Sequence, residues 1–341
     1  MLMEPCIAGL GWVTPLGANL NEVWERLDRG DVAEEKALTN PESGRTHRFM
    51  PVPPKLLDAV GRNPRLRRSS AISLFAVAAG MAAIEDAGLK MTPEVAARTA
   101  VVFAISNGGV LYTRKFYEQI VKQGANAPSP LLFPETVYNA PASHLAALLG
   151  IDGASYTLVG DASVGFSALH FAAQLLALGE FDQVVVVGAE ECDWILCEAY
   201  HDWRLARMPL AEGAAALVLR REGRWPLHTH PGAAFGRQRE ASSALESVLQ
   251  CFNAGPRPDL IVSSANGSFV DRAESAALAS RRGEARTLTP KRHLGEAPGA
   301  SALLQAVLAA VALEKLDKLH ALVPVVGWNQ QASAAWITRL P

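Results

Sequence analysis

The run from Ser155 to Glu191, SYTLVGDASVGFSALHFAAQLLALGEFDQVVVVGAEE, limits the possible folds of this chain more than any other stretch. Tyr156 to Val159 reads as a β-branched strand, Gly160-Asp161-Ala162-Ser163 as a tight turn, and Val184 to Val187 as a second apolar strand. Between the strands, Phe166, Leu169, Ala172, Ala173 and Leu176 recur at three- and four-residue steps, which predicts an amphipathic helix with one buried face. A strand, turn, helix and strand in this order put the turn at a helix N-terminus. Unpaired N–H groups and the helix dipole favour an anion there and lower a thiol pKa, so it is where an enzyme would seat a nucleophile. This turn offers Asp, Ala and Ser, and no Cys.

The same alternation runs along the rest of the chain. Cys6 to Gly17 is a short strand punctuated by glycines and closed by a Pro turn, leading to a helix over Asn21 to Gly30 capped at Asn19 or Asn21. Residues 31–60 are polar and Pro-bearing and are expected to form an irregular surface insertion. Ser69 to Ala87 predicts a long Ala-rich helix stopped by Gly88. Arg62, Arg65, Arg67 and Arg68 crowd its N-terminus against the macrodipole, so local stability does not explain them. A buried strand (Thr99 to Ile105), an aromatic helix (Val110 to Gln123, with Tyr112, Phe116 and Tyr117) and a helix from Pro134 to Leu149 follow. Aromatics at helical spacing are compatible with plain core packing.

Ala211 to Leu219 is another strand, and the charged turn Arg220 to Arg224 hands over to a second half. That half reads as a strand over Pro226 to Phe235, a helix over Glu240 to Phe252, a strand over Asp259 to Ser263 and a helix over Val270 to Ser280. A helix over Ala300 to Leu316 and a hairpin of Ala321 to Val326 with Ser333 to Leu340 complete it. Two halves of the same βα grammar, residues 1–222 and 223–341, predict a duplicated α/β fold with mixed sheets.

Composition removes several classes of function. A formal net charge of −2 over 341 residues gives no reason to expect nucleic acid as a partner. No apolar run reaches membrane-spanning length, and the first residues are acidic and strand-like, so neither a membrane span nor a signal peptide is expected. Cys6, Cys192, Cys197 and Cys251 lack C-x-x-C spacing, which points to buried thiols in a reducing compartment, the cytoplasm, and to no metal site and no cofactor.

Several of these stretches resemble β-ketoacyl synthases of the thiolase-like superfamily. Gly9-Leu10-Gly11-Trp12-Val13-Thr14-Pro15-Leu16-Gly17 is similar to their opening strand and turn, and Glu212-Gly213-Ala214 to their G-E-G-A-G strand, with Ala211 for its first Gly. The resemblance covers Cys6 to Arg339 and implies a five-layer αβαβα sandwich of two duplicated halves. It also implies a Cys-His-His site, in which a thiolate holds the acyl chain and two His residues decarboxylate the malonyl partner. Laying Ser163-Val164-Gly165 on the family's nucleophile turn puts Ala162 at the Cys. Asn266, in Ser264-Ala265-Asn266-Gly267-Ser268-Phe269, stands at the first His, and His293 at the second. The family's Lys falls on Leu288, with Lys291 close by, and its C-terminal glycine loop is degraded to Gly327-Trp328-Asn329-Gln330-Gln331. Ser163 is one residue late as a substitute nucleophile, and Asp161 could carry an acyl group only as a labile anhydride.

The resemblance therefore implies a non-catalytic subunit similar to a chain-length factor, paired as a heterodimer with an active ketosynthase. It further implies an acyl-tunnel gate at Val110, Thr113 and Tyr117, which share one helical face. Arg65, Arg67 and Arg68 would dock an acyl carrier protein and its phosphopantetheine, unless the run is only a solvated basic loop. Two alternatives stay open: a decarboxylase or acyltransferase using His293 and Asn266, and a stand-alone acyl-thioester binding module.

Overall fold

The computed structural model describes residues 4–340 apart from Ala206 and Ala254. The first half begins with β1 (Cys6–Val13), α1 (Leu20–Arg29), the hairpin β2 (Lys36–Thr39) and β3 (Thr46–Met50), the short α2 (Asp58–Gly61), α3 (Ala71–Asp86) and the single-turn α4 (Pro93–Ala97). It continues through β4 (Thr99–Ile105), α5 (Val110–Gln123), α6 (Ala140–Leu149), β5 (Ser155–Val159), α7 (Val164–Leu178) and β6 (Gln183–Glu190). It ends in α8 (Trp194–Asp202), β7 (Leu210–Ala211) and β8 (Gly213–Arg220). The second half runs β9 (Trp225–Thr229), β10 (Ala233–Ala234), α9 (Ala241–Leu249), β11 (Leu260–Val262), α10 (Phe269–Leu278), β12 (Arg286–Leu288), α11 (Lys291–Leu294), α12 (Pro298–Lys315), β13 (His320–Val326) and β14 (Gln331–Thr338).

The duplication is explicit in the pairing. In the first half the order is β1-β8-β6-β4-β5, with β1, β8 and β6 antiparallel to their neighbours and β6, β4 and β5 parallel. In the second half the order is β9-β14-β13-β11-β12, with the same alternation of antiparallel and parallel pairs. β9 also pairs with β1 at Cys6↔Pro226 and Ile7↔Trp225, so the two sheets are joined.

Helices α7 and α12 lie between the sheets, α3 and α6 cover the outer face of the first, and α9 and α10 cover the outer face of the second. This is the αβαβα sandwich. Its middle layer explains why α12 is apolar all round: every residue from Pro298 to Leu313 is buried, so no polar face is needed. The glycines of β1 have an equally direct cause. A Cβ at Gly9 or Gly11 would fall 2.2 Å from the carbonyl oxygen of Ala83 or Ala79, so only glycine lets α3 lie directly on the strand.

Two local expectations need correcting. Residues 31–60 are not wholly irregular, because β2 and β3 form a hairpin and β3 pairs in parallel with β7 in a small separate sheet. The turn is set by Asn40, whose side chain accepts from the N–H groups of Glu42 and Ser43, and the Thr39 and Thr46 hydroxyls bond across the strands at 3.0 Å. The helix expected from Pro134 begins only at Ala140, after a 3-10 turn over Phe133–Glu135, with Pro141 fixing its first turn.

Candidate functional site

The turn before α7 has the predicted form. Ser163 is the helix N-cap residue, and Ala162 is buried with its methyl group in the central core cluster. The neighbouring polar groups are already committed. The Asp161 carboxylate accepts from the Ser163 N–H (3.2 Å) and hydroxyl (3.0 Å) and from the backbone N–H of Asn329. Ser163 Oγ also contacts Gln331 Oε1 at 3.1 Å. The loop that begins at Gly327 thus closes on the turn, and a Cβ at Gly327 would sit 2.1 to 2.5 Å from the Asp161 carboxyl group. A side chain at Gly327 and the Asp161 carboxylate are mutually exclusive in this arrangement.

A second network lies at the C-terminal end of β11 and the start of α12. Asn266 Nδ2 donates to Glu296 Oε2 at 3.0 Å, Lys291 Nζ meets the same oxygen at 2.7 Å, and Ser301 Oγ donates to Glu296 Oε1 at 2.6 Å. All four residues are buried. The Asn266 Oδ1 accepts from the Ser268 hydroxyl (2.6 Å), and Trp328 Nε1 reaches that hydroxyl at 3.4 Å. Each polar group is thereby paired, as a buried ion pair requires. The arrangement leaves Asn266 able to hold a hydrogen bond but not to carry a proton, and Ala162 able to do neither.

His293, which the resemblance puts at the second His, does not join this network. Its Nδ1 meets the Asp31 carbonyl oxygen at 2.9 Å, and the ring lines a small recess with Trp24, Leu27 and Leu308. The residues that do meet Asn266 are Lys291 and Glu296, five apart across the left-handed turn at Gly295 (φ 78°). The spacing and the apolar residues around it were the available signal.

The C-terminal end of β6 supplies a further pair of buried carboxylates. Glu190 accepts from the N–H of Gly299 at the start of α12 (2.8 Å) and of Asn107 (3.4 Å), and Glu191 from Ile72 at the start of α3 (3.0 Å) and Leu111 at the start of α5 (2.9 Å). Burial pushes Glu190 up to about 8 and Glu191 to about 7, with the N–H bonds pulling the other way. Beside them the Tyr200 phenol stays protonated at neutral pH: burial first, and then Glu190, push it up to about 12. Asn107 Nδ2 donates to that phenol at 3.4 Å.

The remaining predicted residues lie on the surface or near it. Val110 is buried at the start of α5, Thr113 is half-buried with its hydroxyl on Gly109 O (2.8 Å), and Tyr117 is 61% exposed, edge-on to Phe116. Val121, Leu131 and Phe133 are also exposed, Phe133 against Phe116, and Tyr156 and Val159 are exposed on β5. Among the described strands β5 pairs only with β4, so its outer edge is open. Arg65, Arg67 and Arg68 are exposed, around a turn anchored by the buried Leu66; Arg65 Nη1 donates to Ala147 O (3.0 Å). Among the described residues no group of His, Cys, Asp and Glu is arranged to hold a metal ion, and no helix is long and apolar enough to cross a membrane.

A family model described as "Beta-ketoacyl synthase, N-terminal domain" matches residues 3–223. The 3-oxoacyl-[acyl-carrier-protein] synthase 2 of Vibrio cholerae serotype O1 is 25% identical over 190 residues, covering 54% of this chain and 45% of the relative. The match thus spans about half the length of that relative. Among solved structures, a β-ketoacyl synthase from Burkholderia phymatum superposes with a TM-score of 0.83 at 17% identity, covering 99% of this chain and 100% of the other. The ishigamide ketosynthase/chain length factor superposes with a TM-score of 0.82 at 19% identity, with the same coverage of 99% and 100%. At these identities the superpositions speak for the fold.

Proposed function

Because this chain belongs to the β-ketoacyl synthase family, we propose that it is a non-condensing subunit of the chain-length-factor kind. It pairs in the cytoplasm with an active ketosynthase and shapes that partner's acyl tunnel during polyketide, polyene or fatty-acid-like synthesis. The observation that carries this reading is the methyl group of Ala162 at the N-terminal end of α7, where covalent catalysis needs a thiolate. The Asn266–Glu296–Lys291 network supports it, since its polar groups bond one another and none is left to move a proton to a substrate. The condensing chemistry then belongs to the partner, and this chain contributes surface and shape.

The open edge of β5 with its exposed Tyr156 and Val159, and the exposed Tyr117, Val121, Leu131 and Phe133 of α5 and the segment after it, support a covering partner. On this reading Val110, Thr113 and Tyr117 end the partner's tunnel, and Arg65, Arg67 and Arg68 receive an acidic acyl carrier protein. A decarboxylase or acyltransferase built on His293 and Asn266 is disfavoured, because His293 bonds to Asp31 while Asn266 bonds to Glu296. The test is coexpression with a cognate ketosynthase followed by size-exclusion chromatography. A stable heterodimer is expected, with the lone chain self-associating. A soluble monomer with no affinity for the ketosynthase overturns the reading.

A further inference from the structure

Cys192, in the turn after β6, and Cys197, in the first turns of α8, are free cysteines in contact. Cys192 Sγ and Cys197 Sγ are 3.8 Å apart, both buried in a small cluster with Phe49, Tyr200 and Leu210. A disulfide needs the sulfurs at about 2.05 Å, so closing the gap takes a shift of about 2 Å. Cys197 also lines a cleft of about 190 Å³ that opens between His47, His201 and Arg207, which gives a small reagent a route to its sulfur.

The residues between the two cysteines are tied to another helix. Asp193 caps α8, accepting from Ile195 N–H at 3.1 Å, and its two carboxylate oxygens each accept from Arg114 Nε of α5 at 3.0 Å. The Arg114 guanidinium lies 5.9 Å from the centre of the Trp194 ring. Any movement that draws Cys197 toward Cys192 must therefore move the group that holds the first turns of α5.

We propose that Cys192 and Cys197 form an oxidisable dithiol, closed to an intrachain disulfide by a small peroxide, and that closure loosens the Asp193–Arg114 contact and with it the start of α5. In the first step the Cys197 thiolate attacks one peroxide oxygen, the O–O bond breaks, and hydroxide leaves a sulfenic acid on Cys197. The Cys192 sulfur then attacks the Cys197 sulfur, the S–S bond forms, and the sulfenic oxygen departs as water. Two thiols lose two electrons and one peroxide becomes two waters: the released hydroxide takes the proton that Cys197 lost in forming its thiolate, and the Cys192 proton leaves with the sulfenic oxygen. A thiol reductant reverses the bond, as a signalling disulfide in a reducing compartment requires.

The experiment treats the full chain, carrying Cys6→Ser and Cys251→Ser, with hydrogen peroxide, alkylates remaining thiols, and cleaves on the N-terminal side of Asp193 before mass spectrometry. The fragments bearing Cys192 and Cys197 are expected joined, lighter by two hydrogens, and separated again by dithiothreitol. Hydrogen exchange over residues 110–117 is expected to speed up several-fold in the oxidised protein and to return on reduction. Alkylation of both thiols after peroxide, or a sulfinic acid on Cys197 beside a free Cys192, overturns the proposal. Joined fragments with unchanged exchange in α5 overturn the coupling to that helix. The mapping needs no substitution at either cysteine, so it does not depend on a variant that fails to fold.

Discussion

Ala162 and its surroundings decide what this chain can do chemically, and they yield the most direct prediction. Ala162→Cys restores a thiol at the helix start but not the groups that decarboxylate a malonyl unit and hold the enolate, since Asn266 and Glu296 bond each other. Catalytic groups that act as a unit are not recovered one at a time, so condensation by the variant should stay at least about a thousandfold below that of an intact ketosynthase. An assay with acyl- and malonyl-loaded carrier protein checks this, and robust ketone formation by the variant alone would refute the assignment. Tyr117 gives the second prediction. Its ring is 61% exposed in the isolated chain, so Tyr117→Ala removes volume without opening a cavity in this chain's core. In the heterodimer it should lengthen the products while leaving the condensation rate within a few-fold, as read by product mass distribution; an unchanged distribution at normal turnover removes Tyr117 from the gate. At this scale the sequence made the nucleophile turn readable, because turn, cap and helix period constrain a local backbone. It did not reveal Lys291 and Glu296 as the partners of Asn266, because which side of the four-residue α11 a side chain leaves from depends on the tertiary contact at Gly295, not on local pattern.

Among the elements, α3 shows how the chain tolerates a run of arginines where a helix dipole opposes them. The N–H groups of Ser70 and Ile72 are taken by Glu135 (2.7 Å) and Glu191 (3.0 Å), both buried and contributed from distant segments. Glu135, which its partners hold below the usual carboxylate range, supplies the negative charge the helix start lacks in its own sequence, and Glu191 supplies a second acceptor, leaving Arg65, Arg67 and Arg68 free to face outward. Reversing all three to Glu should therefore leave folding intact and slow carrier-protein association about tenfold at low salt, with the difference shrinking as salt rises. Stopped-flow binding at several ionic strengths checks it, and an unchanged rate and salt slope mark the run as a solvated loop. Most of the strand and helix alternation was legible from periodicity, but α8 and the three-residue β12 were not, and the strand expected over Pro226 to Phe235 is broken into β9 and β10. The β2–β3 hairpin was not legible either, because its strands are mostly polar and exposed and carry no alternation to read; its register comes from the Asn40 turn and the pairing of β3 with β7.

For the molecule as a whole, the buried carboxyls set the direction of its pH dependence. Burial raises Glu190 to about 8 and Glu191 and Glu212 to about 7. Each binds its proton more tightly folded than unfolded, so across this window the native state holds more protons and stability falls as pH rises. Thermal or denaturant unfolding should show a loss on the order of a few kcal/mol between about pH 6 and about pH 8.5, and Glu190→Gln should flatten that slope. On the acid side the opposite sign applies to Glu135, Asp182 and Glu198, which partners hold below the usual carboxylate range; their contribution disappears as pH drops through those lowered values. A slope of the opposite sign between neutral and alkaline pH contradicts this account.

The middle layer has one more consequence. α7 comes from the first half and α12 from the second, yet both are buried in a single core cluster that also takes in strands from either sheet. Residues up to 222 contain every strand of the first-half sheet and α7, but not α12, which packs on the same inner face. The duplicated architecture therefore does not fold as two successive copies. Until α12 is made, α7 and the inner face of the first-half sheet lack the surface they bury against in the finished fold.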